Sequence, residues 1–509
     1  MAKPLVSSHF QERRVLGHGF APFLWLYSPH LNWQIRHNRT RDTNMPNIIA
    51  FGMLAIWPLV TLVMFRRLPV EKAFIWAIVA GYLILPPPPA GFDFPLLPAF
   101  DKYTIPSLSV FIICFFMYGH RGSLLPETLL PRLALGVFIF SPMFTVLTNG
   151  EPVFYGQVGI RGLGTTDMIA LCMLQFLTVI PFLIARKFLV TAESQKEILK
   201  VFVFSGLAYS LLMLIEVRLS PQLNTWVYGY FQHIFGQSIR FGGYRPLVFL
   251  YHGIWVALFA MMVVVAALAI AKAEAGKEKF RAYVACVYML VVLVLCKSMG
   301  ALLFAMFLVP VIFIFKRNAQ IKIAAMIGAL AVGYPLLKGL DLVPVEWMLE
   351  QAARVSEERS ASLKFRFDNE IILMERAMLK PLFGWGSWGR NHILDPVSGI
   401  IMTVTDGRWI IAIGVYGWVG FLAEFGLLTL PIFMIWREAK RSYGASITPY
   451  AGAISLLLAI NVLDMIPNAT LTPLTWLFSG ALLGYAEALR AERIARTPGM
   501  EPFQWRTVL

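Results

Sequence analysis

From residue 47 onward the chain alternates between long apolar runs and short polar gaps. Apolar windows fall near 47–65, 70–86, 104–119, 132–148, 166–185, 198–215, 247–271, 280–296, 299–315, 321–338, 409–435, 447–466 and 471–489. Most approach the ~20 residues that a helix needs to cross a bilayer core. Lipid offers the backbone no hydrogen-bond partner, so each run predicts a helix that satisfies its own backbone rather than a barrel strand. The pattern predicts an all-α, polytopic integral membrane protein with 12–13 transmembrane helices. They form one domain over 47–490, with a tail at 1–46 and a second, cytoplasmic tail at 491–509.

Composition agrees with the pattern. Of 509 residues, 58% are hydrophobic and 14% charged, which excludes an ordinary soluble enzyme. The net charge of +15 would suggest nucleic acid in a soluble chain. Here the lysines and arginines sit mostly in the gaps, so they report orientation and predict no nucleic-acid partner. The stretches "ARKFLVTAESQKEILK" (185–200), "AKAEAGKEKFR" (271–281), "KRNAQIK" (316–322), "REAKRS" (437–442) and "RAERIAR" (490–496) alternate as cytoplasmic. The long connections 149–165, 216–246 and 339–408 then face outward, and long connections in a compact domain are usually functional. The four cysteines show no metal-ligand or CxxC spacing, so neither a disulfide framework nor a zinc site is expected.

Two readings fit the arginine-rich start. An interfacial or re-entrant piece lies around "GFAPFLWLY", or Met45 is the natural start and residues 1–44 are an upstream extension. The second is preferred because Met45 leads straight into the first span, and no cleavable signal peptide is evident. The "PPPP" run at 86–89 should close a span on the outer side.

Four outward stretches hold the candidate chemistry. In "IRFGGYRPLVFLYHGIW" (239–255), Pro246 suits the first turn of a helix and places Arg240 and Arg245 at its N-terminus. Two guanidiniums there either anchor to lipid phosphate or clamp a diphosphate. His252, about two turns into that helix, is an interhelical contact or a site lining below the arginines. The segment 360–381 reads as an amphipathic helix across the outer mouth, with Leu363, Phe367, Ile371, Met374 and Met378 on its apolar face and Ser360 or Ser362 as cap. Within it, Arg366 pairs with Glu370 or serves as a third arginine for the same anion. In "PLFGWGSWGRN" (381–391), Trp385 and Trp388 among glycines either sit in the interface belt or stack on a sugar. In "TDGRW" (405–409), Asp406 beside Arg408 is a helix cap or a general base.

Ser362, Arg366 and Pro381, then "FGWG" and a span with Gly414, Gly417 and Gly420, resemble the O-antigen ligase and O-antigen polymerase family of bacterial envelope glycosyltransferases. Arg240 and Arg245 are similar to arginines that the family places near a lipid diphosphate. The likeness covers most of 47–490. It implies a C-type glycosyltransferase-like fold in the bacterial inner membrane. There, a glycan would pass from undecaprenyl diphosphate to an acceptor hydroxyl on the periplasmic face. It also implies that Arg240, Arg245 and Arg366 hold the diphosphate, with no metal and no other cofactor. Membrane lipids, the lipid-linked oligosaccharide and a glycan acceptor would be its partners, with a chain-length regulator or flippase beside it. Family ligases carry a histidine just before the span that follows the large loop, where this chain has "TDGRW". Asp406 or His392 is then the base, with His252, Trp385, Trp388 and Arg408 as site lining. The departure favours a polymerase of exopolysaccharide, capsule or O-antigen units over a ligase to lipid A core. The rival from another class is a flippase or secondary transporter, which would use Glu424 and Asp464 as intramembrane acids.

Overall fold

A computed structural model describes residues 45–95, 97–119, 122–240, 242–441 and 447–496. The N-terminal alternatives over 1–44 and the end of the tail lie outside them. Every apolar window holds a helix. In chain order these are α1 (Ile48–Arg67), α2 (Val70–Ile84), α3 (Thr104–Tyr118), α4 (Leu129–Leu147), α5 (Thr165–Phe188) and α6 (Ala192–Leu219). A short α7 (Leu223–Tyr228) precedes α8 (Gly253–Ala273), α9 (Gly276–Leu295), α10 (Met299–Ile314) and α11 (Arg317–Gly339). Two connecting helices, α12 (Val345–Val355) and α13 (Glu357–Met378), lead to α14 (Arg408–Arg441), α15 (Ala451–Asp464) and α16 (Pro473–Arg496). Among the described residues, α1, α4, α5, α6, α8, α11 and α14 are long and apolar enough to cross a membrane, and α3, α10 and α15 are shorter apolar helices. The chain is therefore an all-α polytopic membrane protein.

Two short antiparallel hairpins interrupt the helices. Strands β1 (Val153–Tyr155) and β2 (Val158–Ile160) pair with Phe154 opposite Gly159. Strands β3 (Ile239–Arg240) and β4 (Gly243–Tyr244) pair with Arg240 opposite Gly243.

Helix α8 is apolar all round and buried almost throughout, as a helix with no polar face must be. Gly206 of α6 lets it approach closely, since a methyl there would fall 2.4 Å from Val263. Helices α5 and α16 meet in the same way. Gly480 and Gly484, four residues apart, back onto the carbonyls of Phe182 and Arg186, the small-residue contact that draws apolar helices together in lipid.

The two ends of the bundle differ. One carries short, charged connections knit by ion pairs, such as Arg186 Nε to Glu487 Oε2 at 2.7 Å and Lys196 Nζ to Glu274 Oε1 at 2.7 Å. The other gathers 149–164, 220–252, 340–407 and 465–472. There Arg390, fully buried, donates to the carbonyls of Trp385, Arg161 and Glu151 at 2.8–3.1 Å and so ties the late loop to the early one.

The late loop departs from expectation in two ways. Ser356, rather than Ser360 or Ser362, caps α13, its side chain accepting from the Arg359 amide at 3.2 Å. The buried face of α13 is Phe367, Glu370, Leu373 and Ala377, while Ile371 and Met378 are exposed. The rotation has a cause: Lys338 and Tyr334 of α11 receive the Glu370 carboxylate, so an acid takes an inner position.

The glycines of α14 serve this loop. Gly417 breaks the helix with φ 69° and ψ −172°, a conformation open essentially to glycine alone. The break frees the carbonyls of Gly414 and Val415, which accept from Trp385 and Gly386 at 2.9 Å each. In return the amides of Trp418 and Val419 donate to Pro381 and Leu382 at 2.8 and 3.2 Å. The loop thus replaces the missing helical bonds, as unwound backbone at membrane depth requires.

Candidate functional site

The start of α8 is not where Pro246 suggested. Glu216, buried at the end of α6, takes the amides of Leu247 and Val248 on Oε2, both at 2.7 Å, and that of Leu223 on Oε1 at 2.9 Å. These bonds hold 246–252 out of the helix. Helix α8 begins at Gly253, and His252, expected two turns inside it, is its N-cap, with Nδ1 accepting from the Ile254 amide at 3.0 Å. The stem of Arg245 folds over this N-terminus, because a methyl on Gly253 would fall 2.1 Å from Arg245 Cδ.

Arg245 is the unusual residue here. It is 8% exposed, its Nη2 donates to the Lys297 carbonyl at 3.3 Å, and its Nε is buried without a partner. No carboxylate among the described residues pairs with it. Burial and the neighbouring Arg240 push its pKa down to about 10. A buried, unpaired guanidinium is costly.

More positive charge gathers around it. Arg240 lies exposed on β3 and Lys297 has its ammonium against Gly243. Arg366 reaches in from α13, with Nε 3.4 Å from Asp406 Oδ2 and Nη1 donating to the Pro467 carbonyl at 3.2 Å. It does not pair with Glu370. His233 meets the His252 ring edge-to-face at 4.6 Å. Burial, then His233, Arg245, Arg240 and Arg366, hold the His252 pKa well below the ordinary range. All three arginines therefore act electrostatically on one imidazole. Lys297 escaped the sequence reading, although a lone lysine in a short turn between two apolar runs was a visible signal.

A second group lies across the 405–408 segment. A cavity of about 170 Å³ is walled by the starts of α3 and α16, by α5, α14 and the 387–392 loop, and by Trp255, one turn beyond His252 on α8. Pro88 and Pro89 of the proline run also line it. Of the expected site residues, Trp388, His392 and Arg408 face this cavity. His392 is 5% exposed, with Nδ1 3.0 Å from Thr403 Oγ1, and burial pushes its pKa down to about 4. Arg408 is engaged by Glu424, donating from Nε to Oε1 at 2.7 Å and from Nη2 to Oε2 at 2.6 Å.

The remaining expectations separate. Asp406 faces Arg366 rather than the cavity. Burial raises its pKa and Arg366 lowers it. Trp385, expected as site lining, belongs to neither group: its ring lies 3.5 Å from the Arg376 guanidinium and its Nε1 donates to the Arg376 carbonyl at 2.7 Å. It packs the loop. Asp101, which lines the cavity, was missed. Its Oδ1 accepts from the Tyr103 and Thr104 amides at 2.8 and 3.1 Å. In sequence it reads as a cap before an apolar run, and nothing local distinguishes it from one.

No protein family and no curated protein matches the chain.

Proposed function

We propose that this chain is a membrane glycosyltransferase of the inner membrane. On this reading it polymerises undecaprenyl-diphosphate-linked glycan units for an exopolysaccharide, capsule or O-antigen. The observation that carries the reading is Arg245, a buried guanidinium with no acid, with Arg240 and Lys297 beside it and Arg366 adding positive charge towards His252. Such a cluster costs stability unless an anion of high charge density completes it, and bidentate donors suit a diphosphate. The thirteen apolar helices then cross the bilayer, with the basic connections cytoplasmic and the loop-rich end periplasmic.

The chemistry follows from that placement. An acceptor hydroxyl oxygen bonds to the anomeric carbon as the bond from that carbon to the diphosphate oxygen breaks. The electron pair leaves with the diphosphate, where the arginines stabilise it. The hydroxyl proton goes to a base on the protein, His392 or Asp406. A proton-coupled carrier is less well supported, because Glu424 is held by Arg408, and Asp464 accepts from Thr470 and Asn468 at 2.6 and 3.0 Å.

The test is polymer formation by purified protein supplied with lipid-linked repeat units. Arg245→Ala and Arg366→Ala should each weaken donor use by about tenfold or more, the loss of a charge-assisted hydrogen bond. Full activity in both variants would end the diphosphate reading.

A further inference from the structure

Arg245 is not the only buried charge without a counter-charge. Glu216 is buried near the end of α6, and no cation among the described residues pairs with it. Its three partners are the amides of Leu223, Leu247 and Val248. An isolated buried carboxylate is costly, and charge-assisted bonds to backbone amides are what offset it here. Two of the three go to one turn, 246–252.

That turn runs against its own sequence. Pro246 followed by apolar residues favours a helix continuous with α8, about two turns longer at its start. Instead Val248 holds φ 51°, a left-handed conformation that is a genuine outlier for a β-branched side chain. Buried side chains from elsewhere impose it. The Phe249 amide donates to Tyr209 Oη at 3.1 Å, and Gln232 Nε2 donates to the carbonyls of Val248 and Leu250 at 3.0 and 3.1 Å. Lys102 Nζ donates to the Phe249 carbonyl at 2.7 Å. Strain kept in place by so many partners points to a use.

The use is the position of Arg245. Its amide donates to the Ser238 carbonyl at 2.8 Å, its stem lies over Gly253, and its Nη2 meets the Lys297 carbonyl. A helix wound back to Pro246 would carry Arg245 eight residues beyond Gly253, about 12 Å along the axis, and the stem could not cover that residue. We propose that Glu216 is a positioning residue that, by holding 246–252 unwound, folds Arg245 back over the start of α8. That placement stands on the geometry alone. That the seated anion is a carrier diphosphate rests on the transferase reading.

Thermal unfolding of the full-length protein in detergent, without ligand, tests this as a double-mutant cycle. Arg245→Met removes a buried charge and should raise the melting temperature of the native chain. In a Glu216→Gln background, where the turn is released and Arg245 has swung out, it should leave the melting temperature unmoved. A Glu216 that merely braced the fold would give additive shifts. Glu216→Gln should itself weaken pyrophosphate binding by about tenfold or more in calorimetry, the loss of one charge-assisted hydrogen bond. If Glu216→Gln does not fold, Tyr209→Phe, which removes a neutral bond to the same turn, takes its place in the cycle. Additive shifts overturn the proposal, as does pyrophosphate binding at native strength in folded Glu216→Gln. Non-additive shifts in a chain that does not bind pyrophosphate would keep Glu216 in its role and remove the diphosphate reading. Additive shifts with pyrophosphate bound by the native chain would do the opposite.

Discussion

Replacing Arg245 by methionine separates stability from function at the arginine cluster. Burial and Arg240 hold the guanidinium well below its usual value, down at about 10. A displacement of that size corresponds to about 3 kcal/mol lost by the charged form on folding. Its compensation in the protein is one bond to the Lys297 carbonyl, while Nε has none. Methionine keeps the unbranched stem over Gly253 and removes the charge. Substituting apolar groups for buried charge is commonly neutral or stabilising by about 1–4 kcal/mol. Without ligand, Arg245→Met should therefore unfold at a higher temperature than the native chain. Pyrophosphate at a hundred times its dissociation constant should stabilise the native protein by about 2.7 kcal/mol and leave the variant unmoved. Intrinsic tryptophan fluorescence during heating, with and without pyrophosphate, reads both effects. A ligand-free variant that is destabilised by ~2 kcal/mol or more would refute the reasoning, since Arg245 would then be a structural post.

Gly417→Ala should cost about 3–6 kcal/mol, from the forbidden backbone conformation and the two loop bonds displaced as the methyl meets the Leu382 carbonyl. Gly426→Ala, in the same helix with open space around it, should be neutral or slightly stabilising in the same thermal assay. His392 has a folded pKa of about 4 against the usual 6.5, so the unfolded chain binds its proton first as pH falls. Stability should be undiminished above pH 6.5 and decline by about 3 kcal/mol towards pH 4, and His392→Gln should flatten that part of the profile. Glu424→Gln leaves Arg408 short of its carboxylate beside the cavity; calorimetry should show a second, weaker pyrophosphate site, and an unchanged stoichiometry would argue against Glu424 as the group that keeps anions from Arg408.

The helices were legible because each apolar run is a local property, and lipid permits few alternatives. What decided the site was not local. Pro246 before an apolar run is sound evidence for a helix start, yet Glu216, thirty residues earlier, takes the amides that would have opened that helix. Glu370 lies four residues beyond Arg366, but Lys338 on another helix reaches it first and Arg366 turns to Asp406. The glycines of α14 marked something real, although their role, receiving the backbone of 381–386, is visible only once both segments are placed. Asp101 and Ser387 acquire interest only from the cavity they share.

Sign of charge links the two compartments. Burial, then His233 and the arginines that would attract a diphosphate, disfavour a charged His252, which suits Nδ1 to accept from the Ile254 amide and cap α8 beneath Arg245. Arg408 lies two residues from Asp406, and without its partner it would present a competing phosphate site inside the cavity. Glu424 prevents this with a two-pronged bond, at the expense of burying an ion pair in the helix bundle. Asp406 and Arg408 thus point to opposite sides of one short segment, each matched by the opposite charge.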